Sequence, residues 1–266
     1  TQNHFVMEGR NPVRVVDAEE YRQDPKLVAE MGPERPPEHE SVFAREWEDG
    51  TVTATPFRYD GHKWGKVFWV GPTNQWLWHV TWHRNNGLGV AYDVSPESRG
   101  AKKYGTTLLL TKNGTDFDTL VDDLYTESGP TEATLRFAAD NTLYCLQRRD
   151  GKPSNTALLG TSRKIPYDEW TWKDLGKYFG GPNFIQIPDG RWIAVGRLLN
   201  YGADKKTKTV VCELDVTKGE LNPLLELPSG GDSSYPGLVW HDSQLWISYY
   251  SSHEGKAAIY IARVKL

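Results

Sequence analysis

A short hairpin pattern recurs five times along the 266 residues, and it constrains the fold more than any other feature of the sequence. In each copy an alternating strand runs into a tight polar turn and then into a strand rich in β-branched and aromatic residues. Four of the turns carry Asp-Gly, Asn-Gly or Asp-Asn, which supply the positive φ of two-residue hairpins. The turn markers, separated by 37, 54, 49 and 53 residues, are Asp49, Asn86, Asp140, Asp189 and Asp242.

A period near 50 residues with one hairpin per unit is the sequence signature of a β-propeller, in which each repeat forms one four-stranded blade. The last repeat has room for only three strands. Because an open sheet edge invites aggregation, we expect the N-terminal segment 13–16 to complete the final blade. The sequence therefore predicts an all-β, five-bladed propeller that forms a single domain over residues 1–266. Outer strands are expected at 106–110, 156–160, 207–212 and 258–262.

Composition and charge exclude several classes of partner and cofactor. The net charge of −4 gives no electrostatic reason to expect nucleic acid or an anionic membrane, and no apolar stretch has the length of a membrane span. Cys145 and Cys212 lie in predicted strands, so we expect two buried thiols, no metal site and no cofactor. The first residues lack signal-peptide character, which leaves a periplasmic or secreted location if a leader was removed, and a cytoplasmic one otherwise.

Several segments carry a resemblance to a known family. Residues 111–117 are similar to the Asp-box turn of sialidase propellers, with Asn113 in place of the aspartate and Phe117 in place of the tryptophan. Segments 76–83, 180–183, 229–235 and 249–256 resemble, in order, the bacterial sialidase-like (BNR-repeat) family over roughly the last two thirds of the chain. The resemblance implies a propeller, usually of six blades, and a carbohydrate as substrate or ligand.

The same resemblance implies the catalytic groups of a retaining sialidase. Such enzymes use a tyrosine nucleophile, a glutamate that deprotonates it and a separate acid/base. By position, Tyr235 would be the nucleophile and Glu132 its base. Asp24, in a segment similar to the family's Arg-x-Asp-Pro, or His253 would transfer the other proton.

Arginines are implied as the group that holds the carboxylate of the sugar. Arg148 follows the hairpin after Glu132, and Arg197 has the equivalent position one repeat later. The planar fork of arginine binds a carboxylate through two hydrogen bonds. A salt bridge at a blade rim is the competing interpretation. Further substrate-binding candidates are Asn183, His79, Tyr250 and Glu254.

These groups favour an exo-acting glycoside hydrolase that acts on an acidic or modified sugar in a pocket on the propeller axis. The abundant aromatic residues, 11 Trp and 13 Tyr, leave a second possibility open, since they also form platforms for sugar rings. That alternative is a non-catalytic carbohydrate-binding propeller. A polysaccharide lyase that uses His and Tyr is the third candidate.

Overall fold

The computed structural model describes the backbone of four N-terminal strands, of residues 70–101 and of residues 104–266, with side chains for residues 70–98 and 104–266. In this described part of the chain, the elements are β-strands and one short helix, α1 (Pro96–Ala101). Within these residues, no helix has the length and apolar character needed to cross a membrane. In chain order the strands are β1 (Asn3–Phe5), β2 (Val13–Val15), β3 (Ser41–Glu46), β4 (Val52–Phe57), β5 (Gln75–His83), β6 (Asn86–Asp93), β7 (Thr106–Thr111), β8 (Phe117–Tyr125), β9 (Pro130–Phe137), β10 (Leu143–Arg149), β11 (Leu158–Ser162), β12 (Thr171–Asp174), β13 (Gly180–Gln186), β14 (Trp192–Tyr201), β15 (Lys206–Asp215), β16 (Glu220–Glu226), β17 (Ser234–His241), β18 (Gln244–Ser251) and β19 (Ala258–Val264).

The chain divides into two compact units, residues 16–131 and residues 1–15 with 132–266. The first unit contains the hairpin β3–β4 and one four-stranded sheet in the order β5-β6-β7-β8. The second contains the sheets β9 to β12, β13 to β16 and β17 to β19, each with its strands in chain order. This simple up-and-down antiparallel order is that of propeller blades. The single domain expected over residues 1–266 stays a prediction.

The strand β14 of the blade β13 to β16 is buried on both faces, as expected for a blade that packs between two neighbouring blades. Along β14, Ala194 and Leu198 pack into a core shared with β10 and β11, while Ile193 and Val195 pack into a core shared with β18 and β19. All four side chains are buried. Because successive side chains of a strand point to opposite faces, one alternating strand can serve two cores.

The all-β propeller fold predicted from the hairpin period is confirmed. All five predicted hairpins are antiparallel strand pairs: β3–β4, β5–β6, β9–β10, β13–β14 and β17–β18. The blade count differs, because four sheets of three or four strands are present in the described part of the chain. The first predicted repeat is represented there by β3–β4 alone, and its turn marker Asp49 lies outside the described residues.

The N-terminal segment lies at the last blade, but not as predicted. β1, rather than segment 13–16, lies beside β19, and β2 pairs with β1. The sheet β17 to β19 keeps its three strands. The run Val13–Val15 follows β1 in the chain and pairs with it, so it does not reach β19 itself.

Residues 111–117 form the tight turn between β7 and β8, of which β7 matches the outer strand expected at 106–110. The Thr111 hydroxyl accepts a hydrogen bond from the Gly114 N–H at 2.9 Å. The Asn113 side-chain oxygen accepts from the N–H groups of Thr115 and Asp116, both at 2.9 Å. A short polar side chain thus satisfies the backbone donors of the turn. Its assignment as an Asp-box stays a prediction.

The two cysteines are free thiols with side chains fully buried in the second unit. Burial raises the pKa of Cys145 far above its usual range and the pKa of Cys212 to about 12. Both thiols therefore stay protonated at neutral pH and act as small apolar side chains in the core.

Candidate active site

Three consecutive blades of the second unit bring polar groups together at one end. The first strands β9, β13 and β17 begin at this end. Since each is paired with an antiparallel neighbour, the strands β10, β14 and β18 finish there. The first strands contribute Glu132, Gly181 and Tyr235, and the second strands contribute Arg148, Arg197 and Tyr250.

Glu132 is the buried centre of this group, with 5% of its surface exposed. Its Oε1 accepts a hydrogen bond from the Tyr235 hydroxyl at 2.7 Å. Its Oε2 accepts from the Gly181 N–H and pairs with Arg148 Nη1, both at 2.8 Å. A buried carboxylate needs such partners to offset its lost hydration, and three of them here fix its position.

Tyr235 lies in front of Glu132 and is 41% exposed. Its φ is 52°, at an irregularity where the β17–β18 register shifts between Ser234 and Gly237. A left-handed backbone at a tyrosine costs of order 1–3 kcal/mol and persists only where neighbours enforce it. Burial, then the charge and hydrogen bond of Glu132, raise the pKa of Tyr235 to about 12, so the phenol is neutral at pH 7.

Arg148 is held between two carboxylates. Its Nη1 contacts Glu132, and its Nε contacts Asp150 Oδ2 at 2.9 Å. The ring of Tyr178 lies 5.5 Å from the guanidinium carbon. Burial opposes the charge of Arg148, but Glu132 and Asp150 outweigh it and raise its pKa above the ordinary value.

Arg197 is likewise paired with a carboxylate. Its Nη1 contacts Asp232, whose other oxygen accepts a hydrogen bond from the Tyr250 hydroxyl. The Arg197 guanidinium lies 5.8 Å from the ring centre of Tyr235, and that ring is 5.6 Å from the ring of Tyr250. Asp232 therefore joins Arg197 and Tyr250 beside the exposed phenol. Burial opposes the charge of Arg197, but Asp232 outweighs it and the pKa lies above its usual value.

Gly181 combines two constraints that only glycine meets. Its φ is 56°, and an added Cβ would lie 2.6 Å from Ser234 Oγ and 2.6 Å from Tyr235 Cδ1. We expect Gly181→Ala to lower the free energy of unfolding by about 1–3 kcal/mol and to displace Tyr235. The matched control is Gly190→Ala, since Gly190 has a φ of 92° but no atom within 4 Å of an added Cβ. Chemical denaturation of both variants is the measurement, and equal losses would contradict the steric argument.

The side chain of Asn183 is held by protein hydrogen bonds, and its role as a substrate ligand stays a prediction. Its side-chain amide donates to the Pro236 carbonyl at 2.8 Å and accepts from Arg136 Nη2 at 2.7 Å and from the Phe184 N–H at 2.9 Å. It is 6% exposed. The register shift between Gly180 and Asn183 turns this side chain toward the neighbouring blades.

His253 and Glu254 belong to a different group of side chains, so the structure does not bring them to Glu132. The ring of His253 lies 4.4 Å from that of Tyr260, and its Nδ1 is 3.0 Å from Ser251 Oγ. Glu254 accepts a hydrogen bond from the Tyr260 hydroxyl at 3.0 Å. Both line a cleft with Tyr249 and Arg263 between β16 and β19. Both side chains therefore contact Tyr260 on β19, the third strand of its sheet.

His79 belongs to the other unit, and its role stays a prediction. Its ring lies 5.5 Å from that of Trp78. The regular alternation of side chains is interrupted at this point, because the register of β5 shifts between Leu77 and Val80. Asp24, the other candidate acid/base, lies outside the described residues.

Four groups at the site were not predicted: Tyr178, Asp150, Asp232 and the backbone N–H of Gly181. Segments 180–183 and 229–235 pointed to their neighbourhood, but only by resemblance. Asp232 lies on a loop and has no periodic counterpart in other repeats. A backbone N–H is present at every residue except proline, so the sequence does not show that the N–H of Gly181 is a donor at the site.

Comparisons with known proteins support the fold. No family model matches the chain, and no curated protein gives a significant match. A protein of unknown function from Dyadobacter fermentans has a similar structure, with a TM-score of 0.65 and 14% identity over 85% of this chain and 76% of that one. An α-L-arabinofuranosidase from Fusarium graminearum, solved with an iminosugar inhibitor, has a TM-score of 0.63 and 10% identity over 84% and 70% of the two chains.

An endo-arabinase from Bacteroides thetaiotaomicron is also similar, with a TM-score of 0.57 and 11% identity over 85% of this chain and 94% of that one. The arabinofuranosidase and the arabinase are propeller glycoside hydrolases, and neither is a sialidase. At such identities the likeness shows the fold. Membership in the sialidase-like family stays a prediction.

Proposed function

We propose that this chain is a retaining glycoside hydrolase with Tyr235 as nucleophile and Glu132 as its base. The observation that carries the proposal is the 2.7 Å hydrogen bond from the exposed Tyr235 phenol to the buried Glu132. A substrate reaches the phenol first, and the carboxylate behind it is placed to take its proton. This is the arrangement of nucleophile and adjacent base that activates a weak nucleophile.

In the first step, Tyr235 Oη forms a bond to the anomeric carbon while its proton passes to Glu132 Oε1. The glycosidic C–O bond breaks, and the leaving oxygen takes a proton from a general acid. In the second step, water attacks the anomeric carbon and gives a proton to that acid's conjugate base. The tyrosyl oxygen then leaves and recovers its proton from Glu132. Two displacements at one carbon retain its configuration.

The raised pKa of Tyr235 fits this order of events. With a pKa of about 12 the phenol stays protonated until the substrate is bound, and proton transfer accompanies attack. Arg148 and the Gly181 N–H hold Glu132 at the right distance. The left-handed backbone of Tyr235 is a second support, because strain of this kind clusters at functional sites. A third support is that the arabinofuranosidase and the arabinase, which have similar folds, are glycoside hydrolases.

The test is to trap the glycosyl-enzyme. Activated 2-deoxy-2-fluoro glycosides should add the mass of one glycosyl group to the intact protein, and peptide mapping should place it on Tyr235. Proton NMR of an aryl glycoside reaction should show retention at the anomeric carbon. An inverted product, or a label on another residue, would overturn the mechanism. Sugar binding without turnover would identify a carbohydrate-binding propeller instead.

A further inference from the structure

We infer that the sugar bound at Tyr235 is uncharged, and that Asp232 is the residue that excludes acidic sugars. The inference rests on the proposed function and specifies its substrate class. It departs from the acidic or modified sugar expected from the sequence, where Arg148 and Arg197 were assigned to a substrate carboxylate.

The first argument is the charge balance at the site. Two positive side chains, Arg148 and Arg197, are accompanied by three negative ones, Glu132, Asp150 and Asp232. These five groups sum to one negative charge. A substrate carboxylate brought into this group would meet net repulsion, which partly buried surroundings screen less than water does.

The second argument is that both guanidinium groups are already engaged. Arg148 uses Nε for Asp150 and Nη1 for Glu132, and a tyrosine ring covers its plane. Arg197 uses Nη1 for Asp232, and its Nε is buried without a hydrogen-bond partner among the described residues, where a ligand cannot contact it. Bidentate recognition of a carboxylate requires a fork of two N–H donors on one guanidinium. Binding of a substrate carboxylate through two hydrogen bonds would therefore need an N–H that a protein carboxylate already accepts.

The third argument is the character of the surface that a sugar would touch. Asp232 has 66% of its side chain exposed, and it is fixed by Arg197 and the Tyr250 hydroxyl. An ionised carboxylate accepts charge-assisted hydrogen bonds from sugar hydroxyls. The adjoining rings of Tyr235 and Tyr250 offer apolar faces to the carbon skeleton of a sugar. The carboxylate acceptor and the two tyrosine rings together fit the hydroxyl groups and the carbon skeleton of a neutral sugar.

The experiment compares aryl glycosides of neutral sugars with those of acidic sugars. The neutral set contains α-L-arabinofuranoside, β-D-xyloside and β-D-galactoside, and the acidic set contains β-D-glucuronide, α-D-galacturonide and the α-glycoside of N-acetylneuraminic acid. We expect kcat/KM for the best neutral substrate to exceed that for the best acidic one by at least about tenfold. Asp232→Asn should shrink this ratio by on the order of tenfold, because it frees Arg197 and removes a like charge.

Two variants control the result. Asp232→Glu keeps the charge and should keep the preference. Asp189→Asn breaks a second Asp–Arg pair, formed with Arg191 at the far end of the blade that contains Arg197, and should leave the ratio unchanged. A higher kcat/KM for an acidic glycoside in the wild-type protein would overturn the inference, as would an unchanged ratio in Asp232→Asn.

Calorimetric titration with free sugars separates this inference from the proposed function. Binding of L-arabinose, D-xylose or D-galactose without turnover of any glycoside would refute hydrolysis but retain the neutral class. Turnover that favours acidic glycosides would retain hydrolysis and refute the neutral class. Neither binding nor turnover with any of these sugars would refute both.

Discussion

Tyr235→Phe is expected to lower kcat by at least about 10³-fold, because it removes the atom that forms the covalent bond. The ring remains, so its contacts with Tyr250 and Arg197 persist and KM should change little. Glu132→Gln should lower kcat by about 10²–10⁴-fold, since an amide cannot take the phenol proton. Steady-state kinetics on the best neutral aryl glycoside gives both parameters.

A matched control for this pair exists in the same blade. Tyr260 also donates its hydroxyl to a glutamate, Glu254, at 3.0 Å. Tyr260→Phe removes an equivalent hydrogen bond away from Tyr235 and should keep the wild-type kcat. If Tyr235→Phe retained more than about a tenth of the wild-type kcat while folded, Tyr235 would not be the nucleophile.

Arg148→Met is expected to destabilise the fold by about 3–5 kcal/mol, because it leaves the buried carboxylate of Glu132 without its cation. Arg148 has 17% and Glu132 has 6% of the side chain exposed, so solvent replaces little of the lost interaction. The double variant Arg148→Met with Glu132→Gln removes both charges and should recover much of that loss. Urea denaturation of the wild type, both single variants and the double variant forms a complete cycle.

Arg191→Met is the comparison for an exposed pair. Arg191 contacts Asp189 at 2.7 Å, close to the distance in the Arg148–Glu132 pair, but both side chains are open to solvent. Exposed ion pairs contribute little to stability, so the urea midpoint should stay near that of the wild type. Equal destabilisation by the two arginine substitutions would show that burial does not set the energy of the Arg148–Glu132 pair.

Local turn chemistry made much of the fold predictable. At Asp189 the predicted hairpin is present, with the Gly190 N–H bonded to the Ile187 carbonyl and the Arg191 N–H to the Asp189 side chain. The β5–β6 turn was misplaced, since it lies at residues 84–85 rather than at Asn86-Gly87. Gly87 serves packing instead, because an added Cβ would lie 2.8 Å from Thr111 Cγ2. Glycine marks close approach as readily as it marks a turn.

The predicted pair of Glu132 and Tyr235 does lie in contact although 103 residues separate the two. The blade period places the beginnings of successive first strands side by side, so their spacing along the chain does not matter. The carboxylates that pair with the two arginines could not be predicted from the sequence. Asp232 meets Arg197 through a loop, and Asp150 meets Arg148 just past a strand end, where no periodicity fixes a side chain. The sequence indicated the cations but not that carboxylates neutralise them.

The two buried thiols make this protein convenient for site-specific labelling. The chain has only two cysteines, and both are inaccessible and held as unreactive thiols. A single cysteine introduced on an exposed turn would therefore react alone with a maleimide dye, without prior removal of native cysteines. Placed beside Asp232, such a dye would report sugar occupancy by fluorescence, even in a variant that has lost all turnover.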